Sequence, residues 1–156
     1  MQVARAPYDR AAGGPTLTGG VTGNGGFGRL AFEAMPTFPT FWRAGFVAGF
    51  EAGIESWRDG DAAGGGFTYA GVIGVRVPGL RATIGIGDEL GAARWMDDGH
   101  VAFGGFALAN VSIDLFGIRA GIDARIAHQL VAGAPDFTRT QLGISVGYTW
   151  PAKRGL

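Results

Sequence analysis

The sequence predicts an all-β fold, a closed antiparallel up-and-down transmembrane β-barrel of eight strands, and three observations carry that prediction. Apolar and polar residues alternate with a period of two from about Phe27 to Trp150, and helical periodicity is hard to find. Short and long connections alternate along the chain, so one end of the sheet has tight turns and the other has loops. The two faces of the alternating runs also differ: one carries no Asp, Glu, Lys or Arg, and the other holds most of the charge.

Composition agrees with this class and excludes others. A chain of 156 residues is one domain, large enough to bury a core. With no cysteine there is no disulfide framework, thiolate metal site or cysteine nucleophile. The 13 basic and 13 acidic residues cancel, which argues against a nucleic-acid partner. Lys153 is the only lysine, whereas a wet β surface is usually decorated with lysine. The 30 glycines have no collagen-like period and fall largely within the alternating runs. No stretch approaches the roughly 18 to 20 apolar residues of a membrane helix. "MQVARAPYDR" lacks the apolar core of a signal peptide, which leaves a cytosolic chain or a mature or recombinant form whose export signal was removed.

The elements follow in order. "GPTLTGGV" (14–21) reads as a short first strand with "TGNGG" as its turn. Leu30 and Phe32 then face away from Arg29 and Glu33. In "FWRAGFVAGFEAGIESW" Trp42, Phe46, Phe50 and Ile54 oppose Arg43, Glu51 and Glu55. "FTYAGVIGVRV" sets Phe67, Tyr69 and Ile73 against Thr68 and Arg76, and "LRATIGI" sets Ile84 and Ile86 against Arg81 and Thr83. "VAFGGFALANVSIDL" places Phe103, Val111 and Ile113 opposite Asn110 and Asp114; "IRAGIDARIAHQL" places Ile118, Ile122 and Ile126 opposite Arg119, Asp123 and Arg125. "QLGISVGYTW" closes the series, with Leu142, Ile144, Val146, Tyr148 and Trp150 on one face. Short links fall at 35–40, 78–79 and 116–117; longer polar ones fall at 58–65, 88–100 and 132–136. An even strand count puts both termini at the tight-turn end. A tail (1–13), a barrel (14–150) and a second tail (151–156) result.

Turn arithmetic sets the register. Around Phe116-Gly117, Asp114 faces Arg119 and Asn110 faces Asp123. Around Pro78-Gly79, Arg76 faces Arg81, and like charges opposite one another require an acid such as Asp114 or Glu33 nearby.

Three features point the apolar face outward. Glycines crowd the charged face, which suits a narrow bore where long Arg and Glu chains need small neighbours. Aromatics gather near the ends of the apolar face, Trp42, Tyr148 and Trp150 at one end, Tyr69 and Phe103 at the other, as membrane-interface girdles do. Each run has about the 9 to 11 residues of a tilted membrane strand. A soluble barrel binding an apolar ligand inside is the alternative.

Over about residues 14–150 the pattern resembles the small eight-stranded outer-membrane barrels of Gram-negative bacteria, the OmpA/OmpX-like class. "LGISVGYTW" is similar to the C-terminal β-signal of that class, with Gly143, Tyr148 and Trp150 matching in kind; six residues follow Trp150 where the class usually ends on the aromatic. The resemblance implies a bacterial outer-membrane location, the lipid bilayer and lipopolysaccharide as surroundings, the barrel-assembly machinery as a partner, and a structural, adhesive or partner-binding role through the loops.

Inside such a barrel, Arg29, Arg43, Arg76, Arg81, Arg119, Arg125 and Arg139 meet Glu33, Glu51, Glu55, Asp114 and Asp123. Buried charges persist when paired, so a lumen plugged by ion pairs is expected, with a narrow channel for small solutes as the alternative. "GNGGFG" satisfies GxGxxG formally, but no helix follows and it reads as a turn. His128 lies on the apolar face near the loop end with Thr140 expected beside it. Outer-membrane lipid hydrolases and acyltransferases keep catalytic residues at that height, but with no serine or acid oriented toward it, His128 reads as an interfacial residue. No enzyme activity, catalytic residue, cofactor or metal is therefore expected; His100, beside Asp97 and Asp98, reads as a solvated loop residue. Trp95 and Met96 stand among charges in the longest loop as contact residues for a partner or the membrane.

Overall fold

The computed structural model describes residues 12–39, 44–95 and 98–149. The described residues form nine strand segments: β1 (Ala12–Val21), β2 (Gly25–Met35), β3 (Thr37–Pro39), β4 (Gly45–Asp59), β5 (Ala62–Val77), β6 (Leu80–Trp95), β7 (Asp98–Leu115), β8 (Ile118–Val131) and β9 (Phe137–Tyr148). β3 is the end of β2 carried past Pro36, which has no N–H to give the ladder. Both segments pair with β4, so they form one interrupted wall strand and the barrel has eight strands. Each strand pairs with its sequence neighbour, and β1 pairs with β9, which closes the sheet. The β1–β9 pairing over Thr16–Val21 joins the two ends of the sheet, which covers the edges an open sheet would expose there.

The tight turns behave as their residues dictate. Phe116 (φ 52°) and Gly117 (φ 84°) both take left-handed conformations, the pattern that matches hairpin twist. Pro78 precedes Gly79 at φ 77°, a type II arrangement. The register follows from these turns: Leu115 opposes Ile118, Asp114 opposes Arg119, Asn110 opposes Asp123, and Arg76 opposes Arg81.

The other end differs from expectation. The segments read as long loops at 58–65 and 88–100 are mostly ladder, because β4 and β5 run to a turn at Gly60-Asp61 and β6 and β7 pair out to Trp95 opposite Asp98. Polar residues kept the alternation going after hydrophobicity had stopped marking it.

Burial reverses the pattern of a soluble barrel. Leu17, Ile54, Ile84, Ile86, Ile122 and Ile144 are all at least 60% exposed on the outer wall. Arg81, Arg119, Arg125, Arg139, Gln141 and Glu89 are among the most buried side chains. The apolar wall faces out and the charge faces in.

Candidate functional site

The lumen is filled along its length. At the tight-turn end, Glu33 holds Arg81 at 3.0 Å and also pairs with Arg119, while Asp114 lies 3.3 Å from Arg76 and 3.4 Å from Arg119. The opposed Arg76 and Arg81 thus each have an acid. In the middle, Arg29 meets Asp123 at 2.8 Å, Glu51 at 3.5 Å and Glu55 at 3.7 Å. Arg125 meets Glu55 at 2.9 Å and lies over the Phe106 ring. Toward the other end, Arg139 bridges Glu55 at 2.6 Å and Glu89 at 2.8 Å. Among the described residues, six arginines (29, 76, 81, 119, 125, 139) and six acids (33, 51, 55, 89, 114, 123) share these pairs, so the lumen charge balances. Oppositely charged groups packed this closely pair with one another across the bore.

An apolar cap covers the loop end of the network. Phe27, Trp57, Ala62, Ala93, Ala102 and Val131 form a buried cluster with Phe137 against it. The Trp57 indole donates to Glu89 at 3.3 Å and lies under the Arg139 guanidinium. It fits against Gly64, where a Cβ would come 2.5 Å from the ring. Gln129 lies on the inward face with Arg119, Asp123 and Arg125, as its parity requires; Glu89, Trp57 and Gln141 were not foreseen as lumen partners, yet parity alone would have found them, since each lies an even number of residues from a named inward residue of its strand.

The outer wall carries a second polar feature. Cross-strand register sets Tyr69 opposite Asp88, Asp88 opposite Gly105, Gly105 opposite His128 and His128 opposite Thr138. All five are exposed on the outside. His128 Nδ1 lies 3.0 Å from the Thr138 hydroxyl, so its partner is Thr138 and not the expected Thr140, which opposes Ile126. Asp88 stands on the other side of His128, separated only by a glycine that has no side chain. The outer face therefore does carry an acid, and an acid does share the row of His128. Apolar residues adjoin this row on both sides, Leu90, Phe103 and Leu130 toward the loops and Ile86, Ala107 and Ile126 toward the tight turns. Along β7, ten residue steps from Leu115 to Gly105, at about 3.3 Å each and tilted roughly 40°, climb about 25 Å, the height of a membrane barrel's apolar band. The row thus lies about 25 Å from the Phe116-Gly117 turn, with apolar wall on both sides of it.

Of the other expected positions, Tyr69, Phe103 and Tyr148 project outward and are about half exposed. Arg43, Trp42, Met96, Trp150 and the side chain of Trp95 lie outside the described residues. His100 is half-buried on β7, in the ladder and not in a loop.

No family model and no curated protein matches the chain. Among solved structures, the crystal structure of the outer membrane enzyme PagL superposes with a TM-score of 0.58 at 15% identity, over 86% of this chain and 98% of that one. The expectation of a barrel without enzyme activity is corrected by this likeness: a barrel of this fold is an enzyme, so the architecture gives no ground for excluding catalysis. At that identity the comparison establishes the fold, and the chain is an eight-stranded closed β-barrel of the outer-membrane type.

Proposed function

We propose that the protein resides in a bacterial outer membrane and cleaves ester-linked acyl chains of lipids at its outer wall, with Thr138 as nucleophile and His128 as base. The observation that carries this reading is the 3.0 Å contact between an imidazole and a hydroxyl on an apolar wall. A nucleophile and base within hydrogen-bond reach, with a third group available to orient the base, is the arrangement acyl transfer needs. Asp88 is that third group: the two ring nitrogens diverge, so a ring turned to Thr138 through Nδ1 presents Nε2 toward the Gly105 gap and Asp88. The fold it shares with an outer membrane enzyme supports the same reading.

The chemistry balances in two steps. The Thr138 oxygen attacks the ester carbonyl carbon as its proton passes to His128. The tetrahedral intermediate then expels the alcohol, which takes that proton from the imidazolium. Water, deprotonated by His128, next attacks the acyl-threonine ester and releases a fatty acid, returning the proton to Thr138. A polar row at the rim suits this because the ester bonds of membrane lipids lie between headgroup and chains.

Fatty-acid release from ester-lipid vesicles containing the refolded protein tests the reading. His128→Ala and Thr138→Val should each lower the rate by about 10²- to 10⁴-fold, the usual contribution of a positioned base. No release by the wild-type protein, or equal rates in the variants, would refute it.

The same reading gives the remaining surfaces their surroundings: bilayer lipid and lipopolysaccharide against the wall, and the barrel-assembly machinery reading the alternating β9. A second role, partner binding or adhesion in the manner of OmpA-like barrels, is favoured by the β4–β5 and β6–β7 hairpins, whose ladders continue past the apolar band. A small-solute channel is disfavoured by the balanced, capped lumen.

A further inference from the structure

Directly below the polar row, on the tight-turn side, the outer wall is hollowed. A larger depression of about 730 Å³ spreads over Ala48, Gly71, Ile73, Ile84 and Ile86. A smaller one of about 310 Å³ spreads over Ala109, Ala124, Ile126 and Thr140. Both reach Ala107, where they meet. Each has its own cap, because the next outward residues along the strands are Tyr69 and Asp88 above the larger hollow and His128 and Thr138 above the smaller.

The barrel does not need these hollows in order to pack. Lumen-facing glycines such as Gly74, Gly87 and Gly91 sit where a Cβ would run within 2.1 Å of neighbouring backbone. At Gly71 an added Cβ meets nothing within 4 Å, and at Gly105 it meets only the Gly87 carbonyl at 3.7 Å. A side chain would fit at both places, and filling them would bury more of the apolar wall. The larger hollow is lined by apolar side chains and glycine alone, and the smaller by Ala107, Ala109, Ala124 and Ile126 with Thr140 at its margin, so an apolar occupant fits both.

We infer that the hollows seat two acyl chains of one lipid, the chain to be cleaved beneath His128 and Thr138 and a retained chain beneath Tyr69 and Asp88. The substrate class is thus a lipid with at least two ester-linked chains, held through the chain that is not cut. The hollows are centred on β5–β6 and β8, about two to three strand spacings of ~4.8 Å apart, which separates the chains by about 10 Å or more. This assignment rests on the proposed hydrolysis for which chain is cut, and on the lipid-facing wall for the seat itself.

Gly71→Phe fills the larger hollow from a position with two strands between it and His128 and three between it and Thr138, and Gly71→Ala controls for the backbone. Two readouts are taken on refolded protein: retention of a two-chain phosphatidylglycerol by native mass spectrometry, and the ratio of kcat/KM for that lipid to kcat/KM for a single-chain nitrophenyl ester. Gly71→Phe should lower both by about tenfold or more, which is what displacing two buried methylenes is worth. Unchanged retention and an unchanged ratio would overturn the seat, even if His128→Ala abolished hydrolysis. Lipid retention that depends on Gly71 in a protein releasing no fatty acid would uphold the seat and refute the hydrolysis.

Discussion

Glu55→Gln is the most informative perturbation of the lumen. The Glu55 side chain is fully buried and lies within ion-pair distance of Arg139 (2.6 Å), Arg125 (2.9 Å) and Arg29 (3.7 Å), while Gln141 donates to it at 2.8 Å. The amide keeps the shape and removes one negative charge from a lumen whose described charges balance six against six. One arginine equivalent then lacks a carboxylate among buried neighbours. Removing one partner of a buried pair costs about 3 to 5 kcal/mol, and Glu55 should fall at the upper end because three cations share it. Denaturant unfolding and refolding in detergent micelles measures the loss. Adding Arg125→Met, which removes a cation and leaves an apolar chain beside Phe106, should recover roughly half or more of it, a coupling of at least about 1.5 kcal/mol. A cost below about 1 kcal/mol for Glu55→Gln, or no recovery in the double variant, would mean that the lumen is hydrated and that the ion pairs do not plug it.

Other outcomes follow from the same geometry. Gly64→Val drives a branched side chain into the Trp57 ring and should cost about 1 to 3 kcal/mol, with a change in tryptophan fluorescence as the cap is displaced. Gly117→Ala forces a Cβ into a left-handed position and should cost about 1 to 2 kcal/mol in the same unfolding assay. Asp88→Asn should slow fatty-acid release less than His128→Ala does and be rescued in part by Asp88→Glu; an Asn variant as fast as wild type would remove Asp88 from the row. In planar bilayers the wild-type barrel should give no steady, reproducible openings, and their appearance would refute the closed lumen.

Most of the fold was legible in the sequence because the two sides of the wall meet such different surroundings. Alternation separated Ile84 and Ile86 from Arg81 and Thr83, and two-residue turns at Pro78-Gly79 and Phe116-Gly117 fixed the pairing on either side. The reading stopped at residue 88 because a strand was recognised by its greasy face, and "DELGAARW" interrupts that face with Asp88. Continued parity would have placed Glu89 in the lumen with Arg139 and Asp88 outside. The outer row depends on something no single strand reveals: Asp88, Gly105, His128 and Thr138 come from four strands, and only the register of three hairpins aligns them. A histidine read alone had no partner, whereas in the closed sheet it has a hydroxyl on one side and an acid across a glycine on the other.

The central claim is that the apolar face is the outside of a closed membrane barrel, and heat-modifiable migration tests it most directly. Refolded into detergent and run unboiled on an SDS gel, the protein should migrate as a compact band that shifts on boiling, and it should not fold in buffer alone. A chain that is monomeric and folded without detergent, and migrates identically boiled or unboiled, would contradict the account.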